Sequence, residues 1–363
     1  MGKDEEVVVV TGGCGFVGQH VIKHLLIQEM FPVKEVRVFD LSSQFCCINE
    51  LNVKDCHTPV NHICGDITQL NDISRACRGA TMVIHTAGKV DVTACPNVEA
   101  LNLVNLTGTK NVVKACIDNC INILVFTSTV DVVIGEEPII NGTESTLWIP
   151  SSHHFGPYAH TKSEAEKVIL HANNHILPNE KKLKTCALRI SPVYGEGDPN
   201  FSKQLKSAKK QGKMMRISNE SSKLQHIYAG NVGYAHVVAA NALRNPVCPT
   251  GQAYFITDDT PVSSLNAFLH PFLENLGVKT YSYTIPYWFL YLLAFITELA
   301  AWITKPLKIF RPIFTRRVVQ FINSVVYFNS NLAKLELGYK PLYTYEESLN
   351  KSLVYYRRYV SSP

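Results

Sequence analysis

The chain is poor in charge. Asp, Glu, Lys and Arg make up 18% of its 363 residues, against about a quarter in an ordinary soluble domain. Hydrophobic residues stand at an ordinary 46%, so some apolar surface is meant for something other than water. Runs of one sign are also missing. The net charge is +5 with no Lys/Arg stripe, which argues against a nucleic-acid partner. Eleven cysteines are scattered from Cys14 to Cys248 without one CxxC pair. Neither a structural metal nor a disulfide framework is expected, and reduced thiols in a reducing compartment fit better. The N-terminus, MGKDEEVVVV, lacks the apolar core of a signal peptide, so the N-x-S/T triplets at Asn105, Asn141 and Asn219 read as chance. No internal repeat and no low-complexity tract is found.

What is present is alternation. Apolar, β-branched runs at Glu6–Val10, Val36–Phe39, His62–Cys64, Met82–His85 and Ile123–Phe126 are separated by helical patterns at Phe16–Gln28, Leu70–Cys77 and Val98–Asn119. Buried strands alternating with helices predict an α/β fold with a doubly wound parallel sheet. Right-handed crossovers then put a ligand at the carboxyl ends of the strands. After Arg189 the pattern loosens around Pro192, Gly195, Gly197 and Pro199. We therefore expect a nucleotide-binding domain over residues 5–190, with 225–260 contributing to it. Residues 191–363 should form mainly a smaller C-terminal substrate-binding cap.

Thr11-Gly12-Gly13-Cys14-Gly15-Phe16-Val17-Gly18 follows the first strand and opens a helix. Glycines let the backbone approach a pyrophosphate, and the helix start offers free N–H groups and a partial positive charge. Asp40 follows 22 residues after Gly18, at the end of the second strand. Its carboxylate suits the two hydroxyls of an adenine ribose and repels a 2′-phosphate, which favours NAD over NADP and marks a Rossmann-type fold. Asp66, in Gly65-Asp66-Ile67, either bonds the adenine amino group or caps the next helix. The small residues of His85-Thr86-Ala87-Gly88 leave room for the cofactor backbone, with His85 read as a core histidine.

Tyr158-Ala159-His160-Thr161-Lys162 opens a helical pattern. The i, i+4 spacing puts Tyr158 and Lys162 on one face. A phenol is a poor base near neutral pH unless a nearby ammonium lowers its pKa. Thr127-Ser128-Thr129 closes the fifth strand, with Thr129 29 residues before Tyr158. A hydroxyl there can hold a substrate oxygen while the tyrosine takes its proton. Whether Ser128 or Thr129 does so is open in the sequence.

Glycine-rich turn, strand-end hydroxyl and YxxxK, in this order over residues 6 to 260, resemble the extended short-chain dehydrogenase/reductases. Val83-Ile84-His85-Thr86-Ala87, Tyr158–Lys162, Gly251-Gln252-Ala253-Tyr254 and Tyr339-Lys340-Pro341-Leu342-Tyr343 are similar to the 3β-hydroxysteroid dehydrogenase/Δ5-4 isomerase family, nearly end to end. The resemblance implies Tyr158 as general base, Lys162 as its partner, Ser128 or Thr129 as hydroxyl donor and Asn105 as a supporting residue. It implies a cofactor site lined by Gly12, Gly15, Phe16, Val17, Gly18, Asp40, Asp66, Ile67, Thr86, Ala87, Tyr158, Lys162 and Pro192. Tyr254 and Asp258 match residues proposed for the isomerase step, although the same YxxxD element serves as plain strand and turn in relatives without that activity. Two departures bear on the substrate: Arg189-Ile190-Ser191-Pro192 in place of an Arg-Pro pair, and Gly230-Asn231 where many members carry two acids. Arg189 reads as an ion-pair partner.

Residues 285–304, IPYWFLYLLAFITELAAWIT, carry one charge, Glu298. The length reaches that of a membrane span, and Trp288, Tyr291 and Trp302 lie near its ends, where interfacial aromatics gather. Lys305, Lys308, Arg311, Arg316 and Arg317 follow, suited to an anionic leaflet. A span would strand the tail on the far side, so a helix lying in the interface is preferred over a span or a cavity wall. The expected activity is NAD-dependent oxidation of a 3β-hydroxysteroid, with or without Δ5-to-Δ4 isomerisation, on a membrane of the endoplasmic reticulum or, as the alternative, the mitochondrion. A homodimer is expected by analogy alone. The alternatives are a 4α-carboxysterol or other apolar alcohol as substrate, and a non-catalytic NAD-binding scaffold.

Overall fold

The computed structural model describes residues 5–45, 57–304, 310 and 312–361. Seven parallel strands form the central sheet: β1 (Glu6–Thr11), β2 (Val33–Asp40), β3 (Val60–Cys64), β4 (Met82–His85), β5 (Ile123–Thr129), β6 (Lys184–Ile190) and β7 (Gln252–Ile256), in the order β7-β6-β5-β4-β1-β2-β3. Chain order reverses beside β1, between β1 and β4, and that is the switch point where a doubly wound sheet opens a crevice at its carboxyl edge. β1 is buried on both faces over Val7–Thr11, which explains a continuous valine run rather than alternation.

Among the described residues, ten helices of seven residues or more accompany the sheet: α1 (Phe16–Ile27), α2 (Leu70–Cys77), α3 (Gly108–Asp118), α4 (Gly156–His171), α5 (Pro199–Gln211), α6 (Ala229–Arg244), α7 (Leu265–Asn275), α8 (Tyr287–Thr304), α9 (Arg316–Ile322) and α10 (Tyr345–Ser361). One face of the sheet packs on α1 and α6 through Val21, Ile22, Val232 and Ala239, and the other on α2, α3 and α4 through Ile73, Val112, Ala165 and Ile169. α5, α7 and α10 share an aromatic core of Phe201, Phe268, Phe272 and Tyr356, with Tyr194 against it.

The helical pattern at Val98–Asn119 is interrupted. Val98–Leu101 is α-helical, Asn102–Thr107 widens to a π-helical turn, and α3 follows. Such a bulge inserts one residue into the turn and re-aims its side chains. It turns Asn105 inward, where it is buried.

α8 lies on the surface with one face against the protein. Leu290, Ala294 and Ala301 are buried, while Trp288 is 66% and Trp302 70% exposed, with Phe289, Leu292, Ile296 and Leu299 exposed between them. Glu298 is turned inward. It pairs with Arg316 of α9 at 2.7 Å and accepts that residue's backbone N–H at 2.8 Å. Lys305, Lys308 and Arg311 fall outside the described residues.

Candidate active site

The glycine loop is closed on itself. The Gly12 N–H donates to the Phe39 carbonyl at 2.8 Å. Gly12 has φ +68°, and a Cβ there would stand 2.7 Å from the Ala87 backbone. A Cβ on Gly18 would overlap the Gly12 carbonyl oxygen and lie 2.7 Å from the Gly13 Cα. Only glycine serves at these two points. Gly15 is the N-cap of α1, and no side chain caps it, so the N–H groups of Phe16 and Val17 sit where an anion binds a helix start. Asp40 ends β2 above this loop, its Oδ2 accepting from Cys14 N–H at 3.0 Å and its Oδ1 from Ser42 N–H at 3.1 Å.

Thr86 is fixed at the end of β4 by its hydroxyl, which donates to the Thr11 carbonyl at 2.7 Å. Asp66 accepts the Thr68 N–H at 2.8 Å in a turn that precedes α2, whose N-cap is Gln69. Ile67 is buried against Gly108. Pro192 follows β6, its carbonyl accepting from Ile227 N–H at 3.0 Å. A cradle without room for Cβ atoms, an uncapped helix start and a carboxylate at the end of β2 fit a dinucleotide.

Tyr158 lies in the first turns of α4, buried. Thr129, at the end of β5, lies near its hydroxyl. Burial, and then the nearby charge of Asp131, push the phenol well above its usual pKa; the Thr129 hydroxyl acts in the opposite direction. Lys162, one turn on, is also buried. Its ammonium donates to the Thr127 carbonyl at 2.7 Å and sits 4.1 Å from the Phe126 ring centroid. Desolvation brings its pKa down to about 7, against the attraction of Glu166. Asn105 clamps the surroundings: its Oδ1 accepts from Lys89 N–H at 2.7 Å, and its Nδ2 donates to the Lys89 carbonyl at 2.9 Å and to Thr161 Oγ1 at 3.1 Å. The loop after β4 is thereby tied to α4.

The two strand-end hydroxyls part company. Ser128 Oγ donates to Glu166 Oε2 at 2.6 Å, and Glu166 forms a buried ion pair with Arg189 at 2.7 Å. Thr129 Oγ1 donates to Asp131 Oδ2 at 2.9 Å and is the strand-end hydroxyl that lies near Tyr158. Neither Glu166 nor Asp131 stood out in the sequence. The available signals were a carboxylate four residues beyond Lys162 and another two residues beyond Thr129. His85 lies fully buried between Thr11 Oγ1 (2.7 Å) and Thr109 Oγ1 (3.0 Å), a core histidine whose pKa burial drops to about 3.

Tyr254 and Asp258 are not brought to Tyr158. Tyr254 packs with Val125 and Leu188 on the α1/α6 face of the sheet, whereas α4 covers the opposite face. Its hydroxyl donates to Glu336 Oε2 at 2.7 Å. The Asp258 carboxylate accepts from Tyr228 N–H, Asn231 Nδ2 and Thr260 N–H, each at 2.9 Å, and so fixes the start of α6. Both side chains are spent on packing and capping.

A cleft of about 610 Å³ lies among the neighbouring loops, and Thr129, Tyr158 and Lys162 do not line it. Its walls are the loop after Thr129 (Ile134, Gly135), the loop before α4 (His153, His154), Tyr287 at the head of α8 and Arg317 of α9.

The profile of the 3-beta hydroxysteroid dehydrogenase/isomerase family matches residues 9–287. The chain belongs to that family. It is similar to the 3 beta-hydroxysteroid dehydrogenase type 7 of Mus musculus, 35% identical over 356 residues covering 96% of this chain and 94% of the relative. The Homo sapiens protein of the same name is 34% identical over 358 residues, covering 96% and 95%. Among solved structures, the fold of this family member is shared by Thermus thermophilus UDP-glucose 4-epimerase in complex with NAD (TM-score 0.65, 21% identity, 97% of this chain and 99% of that one). It is also shared by the Streptomyces venezuelae dTDP-glucose 4,6-dehydratase DesIV with NAD and TYD bound (TM-score 0.70, 18% identity, 97% of each chain).

Proposed function

We propose that this family member oxidises the 3β-hydroxyl of a steroid or sterol to the ketone, with NAD as hydride acceptor. The carrying observation is the buried pair of Tyr158 and Lys162 on α4, set against the carboxyl end of β5 where Lys162 bonds the Thr127 carbonyl and Thr129 lies near Tyr158. The NAD-bound neighbours and the Asp40 carboxylate support the choice of cofactor. Bound NAD supplies the acceptor at which the carbinol hydrogen ends. The protein's own groups do the rest. Gly12, Gly18 and the start of α1 hold the pyrophosphate, and Asp40 takes the adenine ribose hydroxyls. Thr129 and Tyr158 receive the substrate hydroxyl, and Tyr158 accepts its proton. Lys162, braced on the Thr127 carbonyl, holds the nicotinamide ribose. Asn105 keeps the β4 loop and α4 at fixed separation, and residues 191–363 form the greater part of the wall around the steroid. Isomerisation is not assigned to Tyr254 and Asp258, which lie in other networks.

The test is protein in detergent with NAD and a 3β-hydroxy-Δ5 steroid, read for NADH and for a conjugated enone. NADH formation is expected. Enone with NADH would add isomerisation by other groups, and NADH alone would leave oxidation only. NAD binding without NADH would overturn this substrate and direct the search to 4α-carboxysterols.

We further propose that α8 lies in a bilayer interface. Its exposed face is apolar with a tryptophan toward each end, and its one carboxylate is turned inward onto Arg316. An interfacial helix buries such a face by about 5–10 Å while its other face stays on the protein. Full-length protein is expected to float with anionic phospholipid vesicles, and a Trp288→Glu/Leu292→Glu/Trp302→Glu variant to remain at the bottom of the gradient. Equal flotation of both would overturn the assignment.

A further inference from the structure

The last three residues of β5 have a strand on one side only. β4 ends at His85, opposite Phe126, whereas Thr127, Ser128 and Thr129 pair onward with Leu188, Arg189 and Ile190 of β6. Their second support comes from α4. Lys162 Nζ donates to the Thr127 carbonyl at 2.7 Å. One turn further along the helix, Glu166 meets Ser128 and Arg189, which stand opposite each other in register. Ser128 Oγ donates to Glu166 Oε2 at 2.6 Å. Arg189 Nη2 donates to Glu166 Oε1 at 2.7 Å, and Arg189 Nε to Oε2 at 3.2 Å. Glu166 is 1% exposed and Arg189 8%, and the guanidinium carbon lies 5.3 Å from the Phe255 ring centroid.

We propose that Glu166 is a positioning residue of the dehydrogenase site, which holds the end of β5 at Ser128 so that Thr129 stands at a fixed distance from Tyr158. The proposal rests on the dehydrogenase reading of the site. Tyr158, Lys162 and Glu166 follow one another at four-residue spacing and so share one stripe of α4, and all three are buried. Glu166 lies two turns from Tyr158, about 12 Å along the helix axis. Its hydrogen bonds go to Ser128 and Arg189, so it acts on the reacting end of the site through Ser128, the residue joined to Thr129. Asn105 makes a second tie to the same helix, between Thr161 and the loop after β4.

Stability alone does not call for an ion pair at this place. Taking a carboxylate and a guanidinium out of water costs about as much as their attraction returns, so an apolar pair of similar volume packs there with little loss. What an apolar pair lacks is direction. Hydrogen bonds of set length and angle, to partners on two neighbouring strands, admit one height of α4 against the sheet, whereas methyl contacts admit a range. The chemistry needs a single height, because displacing a reacting group by about 1 Å can cost a hundredfold in rate.

The test compares wild type, Glu166→Leu/Arg189→Met, Glu166→Gln/Arg189→Met and Ser128→Ala, each in detergent with NAD and a 3β-hydroxysteroid. The first double variant leaves Thr129, Tyr158, Lys162 and Asp40 in place and removes the acceptor of Ser128. Its Tm should stay within a few degrees of wild type, while kcat falls about a hundredfold and the steroid KM and NAD Kd stay within about threefold. The second double variant restores an acceptor for Ser128 without the charge, and its kcat should recover about tenfold, the worth of one hydrogen bond. A merely structural pair would instead lower Tm and leave kcat per folded molecule unchanged. Ser128→Ala keeps the ion pair, so it decides the matter even where the double variants do not fold: kcat should be about tenfold lower, at unchanged NAD Kd. Wild-type kcat in the first double variant or in Ser128→Ala would overturn the inference and leave the dehydrogenase reading standing. So would a second double variant no faster than the first, because the charge of Glu166 and not its hold on Ser128 would then set the rate. A wild-type protein that binds NAD and forms no NADH would overturn the dehydrogenase reading itself.

Discussion

Replacing Tyr158 by phenylalanine is expected to lower kcat by about 10²–10⁴-fold, the range over which a positioned acid–base group acts. The ring is buried and phenylalanine keeps its volume, so the packing of α4 on the sheet should survive. Thr129, near the hydroxyl, keeps Asp131 as its hydrogen-bond partner when the hydroxyl is gone. No buried group is left without a partner, which keeps the stability cost near that of a single hydrogen bond, about 1 kcal/mol. The glycine loop and Asp40 do not touch Tyr158, so NAD affinity should move by no more than a few-fold. The discriminating measurement is a pair: turnover of a 3β-hydroxysteroid and NAD binding followed by protein fluorescence. Loss of turnover with binding intact places the hydroxyl in the chemistry. Turnover within twofold of wild type would remove Tyr158 from it and leave the chain closer to a scaffold that binds NAD.

How far this site was legible depends on how local each piece is. The glycine loop could be read because its glycines, the helix start and Asp40 answer to one strand–turn–helix unit. Tyr158 and Lys162 could be read because four residues of helix set their relative position. The choice between Ser128 and Thr129 could not. Strand alternation sends Thr127 to one face, where it meets His236, and Ser128 to the other, where Glu166 of α4 accepts its hydrogen bond. Glu166 is itself fixed by Arg189 on β6, so the decision depends on three segments far apart in sequence. Tyr254 shows the same limit. Its spacing to Asp258 resembles an isomerase pair, but strand parity puts the ring on the face away from α4. The π-helical turn that aims Asn105 inward has no local signature in a continuous helical pattern. The inward turn of Glu298 likewise depends on Arg316, beyond the end of the apolar run.

The second large effect is expected at Gly18. Its Cα faces the Gly12 carbonyl so closely that an alanine Cβ would overlap the oxygen and approach the Gly13 Cα to 2.7 Å. Backbone atoms on both sides cannot rotate away as a side-chain tip would. α1 must instead lift from the loop, and with it go the bonds from Gln19 Nε2 to the Cys14 carbonyl at 2.8 Å and to the Gly15 carbonyl at 3.2 Å. Overpacking of this kind costs about 1–3 kcal/mol. The displaced N–H groups are also those that would meet the pyrophosphate. Gly18→Ala should therefore lower Tm and, in addition, lose the stabilisation that NAD gives, about 2.7 kcal/mol at a hundredfold excess over Kd. Gly79→Ala separates the two consequences. Gly79 also has a positive φ, +67°, but nothing lies within 4 Å of its Cβ position. That variant should pay only backbone strain, on the order of 1 kcal/mol, and keep the full NAD-induced shift. Thermal unfolding of the three proteins with and without NAD reads both terms at once. If Gly18→Ala kept the NAD shift while losing Tm as Gly79→Ala does, the close approach would matter for folding alone, and the pyrophosphate would have to be held elsewhere.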